Sequence, residues 1–305
     1  MSLSRRIILS AADNVLIRSI AVRYGLRLGA SRFVAGTTIE DALRVARELN
    51  SKGLVVTMDL LGESVSNRDE ALAAREEILK ILPAVEREGI DSGLSIKLTQ
   101  LGLDIDGEFC LDNVDRIVRQ AKELGNFVRI DMEDSPRVQA TIDIFRELHD
   151  RYGDHVGLAV QSYLYRTMDD VIELGPRKAN LRIVKGAYSE PPEVAYQSKR
   201  DVDEEFCRIV EKHLELGGYA AVATHDRKII DFTKRLVQER GIPHDQFEFQ
   251  MLYGISRGLQ EELVSEGYKV RVYLPFGSHW YPYFTRRLAE RPANLFFVLR
   301  NLLRY

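Results

Sequence analysis

From residue 36 onward the chain alternates between two hydrophobic periods. In one, apolar residues recur every third or fourth position, as on a helix face. In the other they run continuously or alternate, as on a strand. Thr38–Asn50 reads as an amphipathic helix ending near Lys52–Gly53, and Leu54–Leu60 (LVVTMDL) as an apolar, β-branched strand. The pair then repeats. Arg68–Arg87 is a helix and Gly93–Gln100 a strand; Cys110–Leu124 is a helix and Phe127–Glu133 a strand. Pro136–Tyr152 and Val156–Tyr163 continue the pattern, and the helix Thr167–Leu174 leads into Ala179–Tyr188 (ANLRIVKGAY). Helices at Val202–Leu216, Lys228–Arg240 and Ser256–Glu266 alternate with strands at Gly218–Asp226, Phe247–Leu252 and Lys269–Pro275. Helices at Tyr281–Glu290 and Ala293–Leu302 follow.

Eight strands, each followed by a helix, imply βαβ units and a parallel sheet. The expected fold is α/β, a closed (β/α)8 TIM-type barrel. An open doubly wound sheet stays as the alternative, because periodicity does not register closure. Residues 1–35 read as helical, with Leu9, Leu16, Ile20 and Leu26 about a turn or two apart and breaks at Gly25 and Gly29. No Pro/Ser-rich linker divides the chain. The reading is therefore an N-terminal helical extension over 1–35 and one barrel domain over 36–305.

In such a barrel the site lies at the C-terminal ends of the strands, and the polar residues there are Lys97, Asp131, Gln161, Arg182, Lys185, Thr224, His225 and Tyr273. Side chains alternate faces along a strand. Lys97 alternates with Ile96 and Leu98, Asp131 with Ile130 and Met132, and Tyr273 with Val272 and Leu274. If the aliphatic parity packs on the helices, the polar parity faces the axis. The same parity places Arg129, Glu248 and Arg271 one layer deeper, where buried charges must be paired; an Arg–Glu network is expected. Lys97, Arg182 and Lys185 suit an anionic ligand group or developing negative charge. The helix Tyr281–Glu290 carries Arg286 and Arg287, whose guanidinium forks match a carboxylate.

Composition narrows this little. The 305 residues are 45% hydrophobic and 29% charged with a formal charge of −3, an ordinary globular balance with no electrostatic case for nucleic acid. Cys110 and Cys207 stand far apart and read as reduced thiols. The apolar run after Arg5 and Arg6 is too short for a signal peptide or a membrane span, so a cytoplasmic protein is expected. No GxGxxG follows a strand, no P-loop is present, and the six histidines lack metal-ligand spacing. No metal is expected.

The motifs SIKLTQLG (95–102), RIDMED (129–134), QSYLYR (161–166), RIVKGAY (182–188), ATHD (223–226), FEFQMLYG (247–254), RVYLPFG (271–277) and the RR..E of the last barrel helix resemble the proline dehydrogenase family in its short single-function bacterial form. They span about two-thirds of the chain in the family's order. The resemblance implies a distorted barrel holding FAD without a Rossmann fingerprint. It also implies oxidation of L-proline to Δ1-pyrroline-5-carboxylate by hydride transfer to flavin N5, with electrons passed to a quinone. Asp131 and Arg182 would act at the reaction centre. Lys97, Leu252, Tyr273, Arg286 and Arg287 would hold proline. Met132, Gln161, Arg182, Val184, Lys185, Gly186, Ala187, Tyr188, Thr224 and His225 would line the FAD. With no evident general base, proline would react as its neutral amine and water would take the proton. Asp226 departs from an Asn found in some relatives and adds a negative charge near the cofactor. A quinone acceptor implies transient membrane contact at the inner face, and an oligomer is compatible with the sequence. Two other readings compete: a barrel enzyme in which Lys97 or Lys185 forms a Schiff base, and a non-enzymatic scaffold docking through NLFFVLRNLL (294–303).

Overall fold

Eight parallel strands pair in chain order and the eighth pairs back on the first. They are β1 (Val55–Leu60), β2 (Ser92–Ile96), β3 (Val128–Ile130), β4 (Val156–Gln161), β5 (Asn180–Val184), β6 (Tyr219–Ala223), β7 (Phe247–Leu252) and β8 (Val270–Phe276). This computed structural model describes residues 30–290, with the backbone alone at 286–290. Closure is carried by β1 and β8, from Val55↔Arg271 through Leu60↔Phe276, which excludes the open sheet. Outside lie α1 (Ile39–Asn50), α2 (Arg68–Leu79), α3 (Ile81–Arg87), α4 (Gly107–Glu123), α5 (Val138–Tyr152), α6 (Thr167–Leu174), α7 (Lys199–Glu215), α8 (Arg227–Arg240), α9 (Arg257–Ser265) and α10 (Trp280–Glu290).

Polar caps mark where several of these helices begin. Thr38, Asn67, Asp106, Ser198 and Asp226 each accept a backbone N–H of the first turn of α1, α2, α4, α7 and α8, satisfying donors that a helix leaves open. The helix expected over Arg68–Arg87 is two, broken at Lys80. Pro83 sits in the first turn of α3, where its missing N–H costs nothing. Pro136 belongs to a 3-10 turn, Ser135–Arg137, that precedes α5. β2 and β3 end before Lys97 and Asp131, so both residues stand on the turns just above the sheet. Residues 1–29 and 291–305, including the first helical segment and the apolar tail, lie outside the described residues. Ala30–Arg32 is a 3-10 turn.

The two parities of the strands separate as expected. Val56, Met58, Leu94, Ile96, Val128, Ile130, Leu158, Leu181, Ile183, Val222, Phe249 and Val272 all belong to the buried core shared with the helices. Thr57, Ser95, Arg129, Arg182, Glu248 and Gln250 fill the other face. Unlike the branched aliphatic filling usual in this fold, the interior here is polar.

Its charges pair differently from the expected three-membered network. Arg271 donates to both Glu248 oxygens at 2.7 and 3.2 Å, and Tyr219 Oη donates to Glu248 Oε2 at 2.9 Å. Arg129 stands apart. Its guanidinium donates to the Leu158 carbonyl at 3.0 Å and to both the carbonyl and the side chain of Asn180, and it lies 4.8 Å from the Phe127 ring centroid. Burial pushes its pKa well down, helped by Arg182. The reason is register. Arg129 lies opposite Gly157, whose missing side chain leaves the space the guanidinium takes; a Cβ there would be 2.6 Å from Arg129 Nη1 and 2.5 Å from the Asn180 carbonyl oxygen.

A second apolar cluster roofs one side of the barrel mouth. Phe33 and Val34 pack with Leu61, Ile255, Trp280 and Phe284, and Leu252 and Tyr273 lean on them. This contact seats α10, and with it the backbone of Arg286 and Arg287, over the strand ends.

Candidate active site

Above the C-terminal ends of the strands opens a cavity of about 680 Å³, within the range of roughly 300–1,000 Å³ typical of small-molecule sites. Its floor is set by strand alternation. Arg182, Asp131, Lys97, Gln250 and Tyr273 all descend from the inward parity and meet there.

Three of the five form one hydrogen-bonded cluster with Asp59. Lys97 Nζ donates to Asp59 Oδ2 and Asp131 Oδ2, each at 3.2 Å, and to Tyr273 Oη at 3.1 Å. Tyr273 Oη lies 2.5 Å from Asp59 Oδ2 and 2.9 Å from Asp131 Oδ2. Arg182 completes the set. Its Nη1 donates to Asp131 Oδ1 at 2.5 Å, its Nη2 to Ser95 Oγ at 3.0 Å and its Nε to Gln250 Oε1 at 2.6 Å. Two cations and two carboxylates balance, so the excess of positive charge suggested by Lys97 and Arg182 is cancelled locally.

Environment separates the two carboxylates. Burial raises the pKa of Asp59, and the Lys97 charge only partly offsets it. Burial acts on Asp131 as well, but there Lys97 and Arg182 together outweigh it and its pKa is lowered. Burial alone would lower the pKa of Lys97; Asp59, Tyr273 and Asp131 reverse that and hold it well above the usual value. Burial, then the nearby Asp131 and Asp59 charges, push the Tyr273 hydroxyl well up. Lys97 is thus a fixed ammonium with all three protons donated, and no amine nucleophile. That removes the basis for a Schiff base at this lysine.

A second charge cluster closes the outer rim. Lys185 Nζ pairs with Asp203 Oδ1 at 2.5 Å and Asp226 Oδ2 at 3.0 Å, and Lys199 bridges the same two carboxylates. Asp226 also accepts the Lys228 N–H at the start of α8. Burial opposes its ionisation, but its hydrogen bonds from Lys185 and Lys199 prevail and bring its pKa to about 2. The Asp226 charge is absorbed by a helix N-terminus and two lysines. His225 Nε2 accepts the Leu252 N–H at 3.2 Å, which places the hydrogen of the neutral ring on Nδ1. Gln161 Nε2 donates to the Glu133 carbonyl at 2.8 Å. Gly186 has φ +112°, and a Cβ there would meet the Tyr163 ring at 2.4 Å, so the chain turns past Tyr163 only as glycine.

Every predicted residue with a described side chain lines this one cavity: Lys97, Asp131, Met132, Gln161, Arg182, Val184, Lys185, Gly186, Ala187, Tyr188, Thr224, His225, Leu252 and Tyr273. The side chains of Arg286 and Arg287 lie outside the described residues, although their helix reaches the mouth. Sequence reading missed Asp59, Ser95 and Gln250. Ser95 shares the inward parity of Lys97 and Gln250 that of Glu248, both already named, and that parity was the available signal; on β1 no residue had been singled out to point to Asp59.

Residues 42–300 match the family model described as proline dehydrogenase. The chain belongs to the proline dehydrogenase family. Proline dehydrogenase 1 of Bacillus subtilis (strain 168) is 45% identical over 300 residues, covering 98% of this chain and 99% of that protein. The proline dehydrogenase of Deinococcus radiodurans is 45% identical over 306 residues, covering 99% and 98%. Both coverages place the chain with the short, single-function proline dehydrogenases. The bifunctional protein PutA of Escherichia coli (strain K12) is 29% identical over 349 residues, 26% of its length. In fold, the chain is similar to the crystal structure of proline utilization A from Bdellovibrio bacteriovorus inactivated by N-propargylglycine. The TM-score is 0.83 at 23% identity, over 90% of this chain and 34% of that one. The chain is an oxidoreductase of proline catabolism.

Proposed function

We propose that the chain binds FAD in the cavity, oxidises L-proline to Δ1-pyrroline-5-carboxylate there, and passes the electrons to a quinone. The observation that carries this reading is one cavity at the strand ends, lined by every predicted site residue whose side chain is described. The room fits a flat ring system. Ala159 lies directly beside Arg182 on the neighbouring strand and Ala223 lines the same opening from β6, so small side chains stand at these two positions. The wall turns apolar at Met132, Val184 and Leu252, while Gln161, Thr224 and His225 supply polar edges.

FAD, when bound, supplies a two-electron acceptor for the hydride leaving the proline carbon next to nitrogen, and returns those electrons to a quinone. The protein's part is orientation and electrostatics. Arg182, held on three sides, presents a fixed positive charge where negative charge develops. Lys97 and Tyr273 bound the substrate end, Leu252 covers the pyrrolidine ring, and Arg286 with Arg287 hold the proline carboxylate. Asp131 orients Lys97, Arg182 and Tyr273. With both oxygens engaged by those groups and a lowered pKa, it is a poor base; proline reacts as its neutral amine and water takes the ammonium proton. A lipid-soluble quinone implies transient bilayer contact; none of the described helices is long and apolar enough to cross a membrane. The division into an extension over 1–35 and a catalytic barrel over 36–305 belongs to the same reading.

The purified protein is expected to be yellow, or to become so on loading with FAD, and L-proline is expected to bleach it without oxygen. A colourless protein that takes up no flavin and reduces no quinone with proline would end this reading. Arg286→Met and Arg287→Met are each expected to raise the proline KM by about 30-fold or more while FAD stays bound. Truncating one partner of a close charge pair costs about 2–5 kcal/mol. Proline kinetics and flavin content check this together, and unchanged constants in both variants would reject the clamp.

A further inference from the structure

The deep ion pair of the barrel and the floor of the cavity are joined through one side chain. Gln250 Oε1 accepts from Arg182 Nε at 2.6 Å, and Gln250 Nε2 donates to Glu248 Oε1 at 2.5 Å. The same Glu248 oxygen accepts Arg271 Nε at 2.7 Å. All four residues lie on the inward parity of β5, β7 and β8, with Gln250 directly opposite Arg271. Gln250, Arg182 and Glu248 are each at most 4% exposed.

An amide has two distinct ends, and either end can face either neighbour after a half-turn of its last torsion. Here only one sense works. Glu248 is a carboxylate paired with a cation and accepts hydrogen bonds only, while the Arg182 guanidinium donates only. Turning the amide over would set NH2 against the guanidinium and carbonyl oxygen against the carboxylate. Both contacts would then be repulsive in a low-dielectric interior. The Glu248–Arg271 pair therefore fixes the sense of Gln250, and Gln250 fixes the Nε edge of Arg182. Ser95 and Asp131 hold the guanidinium's other side. Among these contacts, that to Gln250 links it to the Glu248–Arg271 pair.

We propose that Gln250 is a positioning residue for the reaction, acting through Arg182, and that the buried Glu248–Arg271 pair is its anchor. The role rests on the reading that Arg182 serves a bound FAD. Without Gln250 the guanidinium keeps its charge but loses the bond that fixes its height and tilt. Its stabilisation of the reduced cofactor then weakens, while the proline carboxylate site is untouched.

The test uses FAD-loaded full-length protein and the variants Gln250→Leu and Gln250→Met, which keep the bulk and remove both hydrogen bonds. The bound flavin of each variant is expected to be about tenfold harder to reduce, a fall of about 30 mV for a two-electron couple. kcat should fall about tenfold, with the proline KM within a factor of two of the parent. The potential, measured without proline, separates this from a general loss of folding, and two variants guard against one failing to fold. If the parent binds flavin and both variants match it in potential and kcat, the relay is wrong and the proposed function stands. If the parent takes up no flavin at all, the proposed function fails first.

Discussion

Arg182→Met is expected to lower the rate of flavin reduction by L-proline by about 10²–10³-fold, the loss usual when one preorganised charge or donor at a transition state is removed. Met keeps the length and the apolar stem, so the barrel floor stays filled. What goes is a guanidinium anchored to Asp131, Ser95 and Gln250. Because those partners hold it before substrate arrives, it needs no reorganisation during the reaction. Asp131 would still be held by Lys97 and hydrogen-bonded by Tyr273, so the substrate end should survive. Anaerobic stopped-flow reduction of the variant, with flavin content measured alongside, checks the prediction. Reduction at the parent rate would remove Arg182 from the chemistry. Loss of flavin alone would make it a cofactor ligand and nothing more.

The largest effect on stability is expected at Glu248. It is the carboxylate partner of Arg271 in the barrel interior, and it takes a further contact from Lys269 at 3.4 Å. Burial opposes its ionisation, but Arg271 and then Lys269 overcome that and hold its pKa at about 2 against an ordinary value of 4.5. A carboxylate depressed on folding contributes stability above its unfolded pKa and loses it as pH falls through the folded one. The window is therefore pH 4.5 down to 2. At about 1.4 kcal/mol per unit, the contribution at neutral pH is roughly 3 kcal/mol. That agrees with the cost of about 3–5 kcal/mol of breaking a buried pair from one side. Glu248→Gln should therefore lose roughly 3 kcal/mol in urea unfolding at neutral pH, and its stability should fall less steeply than the parent's through the acid window. Stability–pH curves that run parallel for the two proteins would refute the assignment.

Much of this is legible in the sequence. The alternation of periods gave eight strands and their helices. The strand parity put Lys97, Asp131, Arg182 and Tyr273 on one side and Ile96, Ile130, Ile183 and Val272 on the other, and all eight stand where that parity placed them. Boundaries were less legible. Lys97 and Asp131 read as strand residues but sit just beyond β2 and β3, because the turn begins where the backbone stops pairing and side-chain alternation continues past that point. The break at Lys80 has the same origin, since an apolar face runs through it unbroken.

The sequence alone determined the order of elements, the face each side chain takes and the chemical types available at the strand ends, because these follow from local sterics and from the periods of 2 and 3.6. Tertiary structure alone decided who meets whom across the barrel. Asp59 and Tyr273 are 214 residues apart, and Arg182 and Gln250 are 68 apart. Closure of β1 on β8 and the stagger of eight strands bring them together. The same register left Arg129 to the Asn180 and Leu158 oxygens and gave Glu248 to Arg271. Charge balance at a site depends on distances between strands, and no pattern along a single strand contains them.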